Sequence, residues 1–342
     1  MTQRKRRRRR RLNWRFFLLL AALAGLLAFL ISSCHHAMNH SEATTTTADP
    51  TVYPEGWIRE GNKRYYQKAD GTRAVGWLEA DGTRYYLNAN GTPFWGWLEE
   101  GNKRYYLQED GSIYTGWLEQ DGKKYYIRED GSMAKGTVKI DGVDHHFTSA
   151  GTPILVVNPW NYLPEGYEPD LVELGLSISV EGSMVDRSCY DALLSMISDC
   201  NKECPEVCVV SSYRTMEYQT NSYNKKVNSY LSLGYSEEDA KKEAATIIAV
   251  PGTSEHQLGL AVDIVDTRLW ALEEEQEDLP AQKWLMENSW KYGFILRYPK
   301  NKINVTGIIY EPWHYRYVGL EVAQELHNSG LTLEEYLQNL TN

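Results

Sequence analysis

Two histidines and an aspartate in the C-terminal half of the sequence have the chemistry of a metal site. Six residues separate His256 from Asp263, and His314 follows later in the chain. Imidazole and carboxylate groups suit zinc, and a catalytic zinc ion typically takes three protein ligands and leaves one position for water. Glu311 lies three residues before His314, where a carboxylate can act as the general base toward that water. Either histidine alone could be an ordinary buried side chain, so the hypothesis depends on the whole set.

The pattern of apolar residues predicts that strands carry two of these side chains. Residues 261–265 alternate as a strand does, with Asp263 at the centre. A second strand is predicted over 314–318, with His314 at its start. Two ligands on strands and a third, His256, on the preceding loop would make a rigid site.

The remaining C-terminal half predicts an α+β domain, because helices and short strands are segregated along it. Helices are expected over 188–198, 240–249 and 281–292, and strands over 207–211 and 294–298. Two helix starts are marked by the capping-box patterns Ser236-x-x-Asp239 and Thr332-x-x-Glu335.

Taken in order, three motifs resemble those of the zinc D-alanyl-D-alanine carboxypeptidases of the vancomycin-resistance type. The motifs are Ser212-Tyr213-Arg214, Ser254-x-His256-x6-Asp263 and Glu311-x-x-His314. The resemblance covers roughly residues 155–340. It implies a hedgehog/D-Ala-D-Ala peptidase-like α+β fold that holds one catalytic zinc ion.

The resemblance also implies a role for each motif residue. The zinc ligands would be His256, Asp263 and His314. Glu311 would move the proton, and Arg214 would stabilise the oxyanion that forms during hydrolysis. Ser254 and Gln219 would bind the terminal carboxylate or the backbone of the substrate. The implied reaction is removal of the terminal D-alanine from peptidoglycan stem peptides.

Three alternatives stay open at this point. An L,D-carboxypeptidase or a peptidoglycan endopeptidase could use the same zinc ligands, because these enzymes differ in cleft shape. A non-catalytic wall adhesin could hold a structural metal, although such a site needs neither Glu311 nor Arg214. A binding module could also act mainly in attachment, with catalysis secondary.

The charge distribution argues against a nucleic-acid partner. Nine of the 36 Lys and Arg residues lie in residues 1–34, which contain no Asp or Glu. The remainder therefore carries 27 basic against 46 acidic side chains. Binding of nucleic acid depends on neutralising phosphates, so a chain this acidic is a poor candidate for that partner.

The N-terminus predicts export and membrane attachment. Residues 1–34 combine a basic run with sixteen uncharged residues, 16–31, a length between that of a signal peptide and that of a spanning helix. Ile31-Ser32-Ser33-Cys34 resembles a bacterial lipobox, in which Cys34 would be lipidated; the alternative is an uncleaved anchor. Residues 35–54 are polar and are expected to form a flexible tether. Either anchor would hold the rest of the chain at the outer face of a bacterial cytoplasmic membrane.

Residues 55–154 repeat with a period of twenty residues. Each unit has a Gly-Trp pair and a Tyr-Tyr pair, beginning with Gly56-Trp57 and Tyr65-Tyr66, with Asp-Gly-type turns between strands. Apolar runs that flank such a turn predict a β-hairpin, and hairpins at a fixed period predict a β-solenoid of about five units. The fifth unit is degenerate, since Thr137 replaces Trp. The zinc peptidase domain would then occupy residues 155–342.

The repeat aromatics predict attachment to the cell wall. The units resemble the cell-wall-binding repeats of choline-binding and glucan-binding proteins. Candidate ligand-binding residues are Trp57, Trp77, Trp97, Trp117, Tyr65, Tyr85, Tyr105 and Tyr125. Choline-binding units often carry Trp just before Tyr-Tyr, where this chain has Arg64, Arg84, Arg104 and Lys124. A wall glycan or teichoic-acid polymer is therefore the expected partner.

Cysteine content fits an extracytoplasmic domain. Apart from Cys34, the cysteines are Cys189, Cys200, Cys204 and Cys208. An even number outside the cytoplasm predicts disulfides, and four cysteines allow three pairings. The alternative is a zinc site built from the last three, but no nearby histidine completes a familiar spacing.

Overall fold

The computed structural model describes residues 54–341. The basic run, the apolar segment, Cys34 and all but the last residue of the tether therefore lie outside the described residues. Within 54–341, no helix combines the length and apolar character needed to cross a bilayer. Among the described residues, 57–66 and 73–341 form one compact unit, whereas 54–56 and 67–72 belong to a second unit.

Five antiparallel hairpins form the N-terminal third of the described chain. Their strands are β1 (Gly56–Glu60), β2 (Lys63–Gln67), β3 (Gly76–Ala80), β4 (Thr83–Leu87), β5 (Gly96–Glu100), β6 (Lys103–Leu107), β7 (Gly116–Gln120), β8 (Lys123–Ile127), β9 (Gly136–Ile140) and β10 (Val143–Phe147). Two-residue turns such as Asp81-Gly82 join the strands, with φ of 52° and 71° at the two positions. Positive φ at both residues defines the type I′ turn that matches strand twist, which confirms the predicted hairpins.

Aromatic rings link each hairpin to the next. Trp77 contacts Tyr86 of its own hairpin at 5.1 Å between ring centroids and Tyr105 of the next hairpin at 4.9 Å, both edge to face. The same arrangement recurs for Trp57 and Trp97. Because one hairpin buries too little apolar surface to be stable alone, these shared contacts hold the array together.

The C-terminal domain contains six strands and seven helices within residues 54–341. The strands are β11 (Leu171–Glu173), β12 (Met184–Asp186), β13 (Val207–Ser211), β14 (Ala261–Asp266), β15 (Phe294–Leu296) and β16 (His314–Tyr317). The helices are α1 (Arg187–Glu203), α2 (Met216–Ser232), α3 (Glu237–Ala245), α4 (Pro280–Asn288), α5 (Ile303–Thr306), α6 (Leu320–Ser329) and α7 (Leu333–Thr341). An antiparallel sheet in the order β13-β14-β16-β15 lies at the centre, which confirms the α+β class.

Helix α1 covers one face of this sheet. Its buried residues are Cys189, Leu193, Met196, Ile197 and Cys200, which fall on one helical face. They pack with Val209 and Ile264 of the sheet in the main core. Asp186 caps the helix by accepting a hydrogen bond from the Ser188 amide at 2.9 Å. This core fixes the strand that carries Asp263.

Both predicted capping boxes are present. The Ser236 hydroxyl accepts from the Asp239 amide at 3.1 Å, and the Glu335 carboxylate accepts from the Thr332 amide at 2.9 Å. Helix α3 ends at Ala245, earlier than predicted, because the Thr246 carbonyl accepts from the Ile309 amide instead of continuing the helix. Helix α2 was not predicted from the sequence.

The fifth hairpin packs on the last two helices of the C-terminal domain. The Thr137 amide donates to the Thr341 hydroxyl at 2.7 Å, and the Ser149 amide donates to the Tyr336 hydroxyl at 3.0 Å. The Ser149 hydroxyl also donates to Glu325 at 2.6 Å. A tryptophan at position 137 would occupy this interface, which explains the degenerate repeat.

The four cysteines of the C-terminal domain are free thiols, contrary to the expected disulfides. Cys189 and Cys200 lie on α1, fully buried in the core. Burial raises the pKa of both thiols to about 12. They act as small apolar core residues.

Alkylation of the native protein at pH 8 should leave Cys189 and Cys200 unlabelled. A raised pKa keeps each thiol neutral at this pH, and the thiolate is the reactive form. After denaturation without reductant, all four thiols should react, as measured by mass spectrometry. If any two of the four thiols failed to react, the result would support a disulfide between them.

Substitution of Gly136 by alanine should disturb the packing of the fifth hairpin. A Cβ there would lie 2.5 Å from the Thr341 nitrogen and 2.8 Å from the Leu340 carbonyl carbon. Gly116, the equivalent residue of the preceding repeat, also has positive φ but has open space around it. We expect Gly136→Ala to lower the free energy of unfolding by about 1–3 kcal/mol more than Gly116→Ala. Equal losses in urea unfolding would contradict this account.

Candidate metal centre

The three predicted metal ligands converge at one end of the central sheet. One ligand atom from each of His256, Asp263 and His314 lies within 4.8 Å of the other two. Asp263 and His314 are register partners across β14 and β16, so antiparallel pairing alone brings them together. His256 lies on a short 3-10 turn, Glu255–Leu258, that ends at Gly259 with φ of 73°. This left-handed glycine lets the chain turn sharply into β14.

The orientation of the His256 ring is fixed by the backbone. Its Nδ1 lies 2.7 Å from the Ser212 carbonyl oxygen, which can only accept a hydrogen bond. Nδ1 therefore carries the proton, and the lone pair of Nε2 is free. Nε2 points into the site, 3.3 Å from Oδ2 of Asp263.

His314 presents its other ring nitrogen to the site. Its Nδ1 lies 3.1 Å from Oδ1 of Asp263 and 3.5 Å from Oε2 of Glu311. The His256 and His314 rings are perpendicular, with centroids 4.9 Å apart. The two imidazoles thus approach a shared point from different directions.

The donor set fits zinc. Oδ1 of Asp263 is buried and accepts no hydrogen bond from any residue within 54–341. A buried carboxylate oxygen without a donor is costly unless a cation neutralises it. Two imidazole nitrogens and one carboxylate oxygen are a common ligand set for a catalytic zinc ion. The sulfur-based alternative is not supported, since Cys200, Cys204 and Cys208 form no such donor group in the described chain.

The surroundings of the site shift the pKa values of the two histidines in opposite directions. Burial and the nearby Arg214 lower the pKa of His256 to about 4. Burial also disfavours charged His314, but the nearby carboxylates of Asp263 and Glu255 raise its pKa to about 9. Burial alone would raise the pKa of Asp263, yet His256, His314 and Arg214 together lower it well below its usual range. Asp263 is therefore an anionic ligand at neutral pH.

Glu311 has the properties of a proton shuttle. It is 8% exposed and lies beside the ligands without being one of the three. Burial raises its pKa to about 8, with the charge of Asp263 adding to the shift and those of His314 and Arg214 opposing it. A carboxyl group with a pKa near neutrality can both accept and return a proton.

A cleft of about 210 Å³ opens over these residues. Arg214, Ser254, Glu311, Trp313 and all three ligands contribute to its lining. Gln219 is fully buried outside this lining and donates from Nε2 to the Ala249 carbonyl at 2.7 Å. The structure therefore gives Ser254 direct access to a substrate, whereas Gln219 supports the cleft wall.

Arg214 lies on the far side of the acidic ligand. Its Nη2 donates to Oδ2 of Asp263 at 2.7 Å, and its Nε and Nη2 donate to the Ser211 hydroxyl at 3.0 and 2.8 Å. Only 16% of the side chain is exposed. A guanidinium fixed at the cleft wall is suited to stabilise negative charge that develops there.

Sequence reasoning missed the charged residues behind the ligands. Glu255, Arg297 and Arg316 are all at most 1% exposed, and Glu255 pairs with both arginines. Two signals were available in the sequence. Glu255 is the neighbour of His256, and each arginine interrupts or ends a short apolar strand pattern.

The aromatic side chains of the repeats are less exposed than an open ligand-binding cleft would require. Tyr65, Tyr85 and Tyr105 are buried, and each repeat Trp is partly buried. The basic residue before each Tyr-Tyr pair lies over a Trp ring. The distances to the ring centroids are 3.7 Å for Arg64, 3.9 Å for Arg84, 4.4 Å for Arg104 and 4.6 Å for Lys124. A cation of the chain itself thus covers one face of each Trp.

Comparisons with known proteins agree with both halves of the chain. The D-alanyl-D-alanine carboxypeptidase family model matches residues 182–320. A second model, described as a putative cell wall binding repeat, matches residues 75–92, 96–113 and 115–133. These matches confirm the two resemblances read from the motifs and the repeats.

Individual relatives cover the C-terminal domain. A D-alanyl-D-alanine carboxypeptidase of Enterococcus faecalis is 41% identical over 54% of this chain, which spans only 65% of that protein. The putative carboxypeptidase YodJ of Bacillus subtilis is 36% identical over 55% of this chain and 67% of its own length. The solved structure of the LdcB LD-carboxypeptidase is 36% identical, with a TM-score of 0.50 over 60% of this chain and 94% of its own. From the family match, these identities and the convergent motif residues, the chain belongs to the D-alanyl-D-alanine carboxypeptidase family.

Proposed function

We propose that this chain is an extracytoplasmic zinc D,D-carboxypeptidase that removes the terminal D-alanine from peptidoglycan stem peptides. The observation that carries the proposal is the convergence of His256, Asp263 and His314 beside a buried Glu311 at the floor of an open cleft. A metal that served only structure would be closed off by a fourth protein ligand. The cleft over this site leaves room for a substrate.

Zinc held by His256, Asp263 and His314 would polarise the scissile carbonyl and lower the pKa of water. Glu311 takes the proton from the attacking water, since its carboxylate lies beside the ligands and away from bulk solvent. The same carboxyl group then returns the proton to the leaving amine of D-alanine. Burial raises the pKa of this carboxyl group to about 8, which favours its holding the proton between the two transfers.

Substrate charge is matched by groups at the cleft wall. Arg214 holds a fixed positive charge that can stabilise the oxyanion of the tetrahedral intermediate. Ser254 lines the cleft two residues before His256, where its hydroxyl can donate to the terminal carboxylate of the peptide. Gln219 contributes by holding the Ala249 carbonyl in the cleft wall.

L,D-carboxypeptidase activity is the second candidate. The LdcB enzyme named as an LD-carboxypeptidase shares 36% identity with this chain, so the same domain architecture accompanies that activity. The D,D assignment follows the matched family model and the Enterococcus faecalis relative. An endopeptidase would need the same catalytic groups and a cleft open at both ends.

The deciding experiment is hydrolysis of two stem peptides by the full chain, with and without a zinc chelator. One peptide ends in D-Ala-D-Ala, and the other ends in a single D-Ala after L-Lys or meso-diaminopimelate. Chelator-sensitive release of D-alanine from the first alone supports the D,D-carboxypeptidase. Release from the second alone would replace it with the L,D-carboxypeptidase. Release from neither by the zinc-bound protein would contradict both.

Replacement of Glu311 by alanine should lower turnover by about two or more orders of magnitude, because it removes the general acid and base. Zinc content, measured by atomic emission, should stay at one ion per chain, since Glu311 is not one of the three ligands. The control is Glu321→Ala, at an exposed position on α6, and it should keep full activity. An active Glu311→Ala protein would remove this residue from the mechanism.

We also propose that the repeats hold the enzyme at the cell wall. The aromatic ladder and the match to a putative cell wall binding repeat support this role. The Arg or Lys over each Trp fills the position that a quaternary ammonium ligand would need for cation–π attraction. A wall glycan or teichoic-acid polymer is therefore the proposed partner, contacted through the accessible edges of the Trp and Tyr side chains.

The full chain should sediment with purified cell walls yet pass through a choline-derivatised resin. If the protein bound that resin and free choline eluted it, the claim that Arg or Lys occupies the choline position over each Trp ring would be wrong. A variant that lacks residues 56–135 keeps the fifth hairpin, which packs on α6 and α7, and serves as the control. It should lose wall binding and still hydrolyse soluble peptides; unchanged sedimentation would show that the repeats are not the attachment site.

The N-terminal sequence supports attachment to the membrane as well. The basic run and the uncharged residues 16–31 suit an exported protein whose N-terminus stays in the bilayer. Lipidation of Cys34 is the proposed anchor, with an uncleaved N-terminal helix as the alternative. Either one would place the enzyme at the outer face of the cytoplasmic membrane, within reach of new peptidoglycan.

A further inference from the structure

Three buried charged side chains, Glu255, Arg297 and Arg316, form a cluster with the partly buried Glu334 behind the metal centre. Glu255 lies between two arginines: its Oε1 accepts from Nε of Arg297 at 2.9 Å and lies 3.0 Å from Nη1 of Arg316. Glu334 of α7 completes the cluster by accepting two hydrogen bonds from Arg297, at 2.9 and 2.5 Å. Two positive and two negative groups balance, as a buried set of ions requires.

The second oxygen of Glu255 faces a metal ligand. Oε2 lies 3.8 Å from Nε2 of His314. Both atoms are buried, and neither has a hydrogen-bond partner among the residues that the structure describes. Because the Nδ1 of His314 points toward Asp263, its Nε2 is the nitrogen that must carry the proton when the ring binds a metal. An unpaired donor thus faces an unpaired acceptor.

We propose that Glu255 is a positioning residue for His314. By accepting the Nε2 proton, its carboxylate fixes the tautomer and the ring orientation that leave the Nδ1 lone pair free for the metal. For His256, the Ser212 carbonyl accepts the Nδ1 proton and so leaves the Nε2 lone pair free for the metal. Such outer partners of ligating histidines raise metal affinity by orienting the ring. This inference rests on the proposed zinc site.

The cluster explains why position 255 needs a carboxylate. With glutamine there, the arginines would attract the amide carbonyl, because guanidinium groups can only donate. The amide NH₂ would then face Nε2 of His314. A donor in that place favours the tautomer with the proton on Nδ1, which blocks the ligating lone pair.

The segment that follows the fifth hairpin also contacts the cluster through hydrogen bonds. Arg316 donates from Nη2 to the Leu155 carbonyl at 2.8 Å, and Glu334 accepts from Nδ2 of Asn158 at 3.0 Å. Leu155 and Asn158 belong to the segment that follows the fifth hairpin. The segment that leaves the wall-binding repeats therefore helps to fix the arginines that hold Glu255.

The test compares two neutral substitutions in the full chain. Glu255→Gln removes the acceptor that faces His314, whereas the control Glu334→Gln removes a charge from the same cluster away from the ligand. Zinc affinity is measured by competition with a chromophoric chelator, and ligand geometry by the absorption spectrum of the Co(II) form. We expect Glu255→Gln to weaken zinc binding by about 10–100-fold and to shift the Co(II) spectrum. Glu334→Gln should stay within about threefold of the parent and keep its spectrum.

Equal affinities for Glu255→Gln and the parent, or equal losses in both variants, would overturn the positioning role. If Glu255→Gln does not fold, Glu255→Asp keeps the charge that the arginines need and withdraws the carboxylate from His314. It should weaken zinc binding as well, and an unchanged affinity would again overturn the role. Absence of zinc binding by the parent chain would instead overturn the proposed metal site itself.

Discussion

The antiparallel pairing of β14 with β16 is the constraint on which the rest of the site depends. It sets Asp263 opposite His314, and a shift of one residue would send one of the two side chains to the other face of the sheet. The main core holds this register, because Val262, Ile264 and Tyr315 on the same two strands are buried in it. Packing that has no chemical role thus decides whether the metal ligands meet.

Burial of the charged side chains at the metal centre determines their protonation states. Each ionised group at the centre is nearly removed from water, a state that is tolerated only with close partners. Arg214 and His314 balance Asp263, and the two arginines behind the site balance Glu255. Glu311 is the exception, since no arginine or lysine pairs with it in residues 54–341. Burial raises its pKa to about 8, and no paired arginine or lysine offsets that shift. The group with the least compensation is therefore the one proposed to exchange protons.

The repeats and the enzyme are more integrated than two modules on a linker. The fifth hairpin packs on α6 and α7, and the following segment contacts the charged cluster through Arg316 and Glu334. The degenerate unit is therefore an adaptor, with small and polar residues where the other units carry aromatic rings. The repeats and the charged cluster behind the candidate metal centre thus meet in one packed region.

The sequence by itself predicted the candidate ligands, the candidate general base and the hairpin repeats, because each depends on local spacing or on a periodic pattern. His256, Asp263, His314 and Glu311 were predicted from residue type and order, and the turns from their Asp-Gly pairs. Only the tertiary structure decided which groups surround them. The arginines at 297 and 316 lie far along the chain from Glu255 and meet it through sheet order, which no local pattern encodes. Likewise, the four thiols are free, and α1 directs Cys189 and Cys200 into the core. An even number of cysteines in the sequence does not encode where their side chains point.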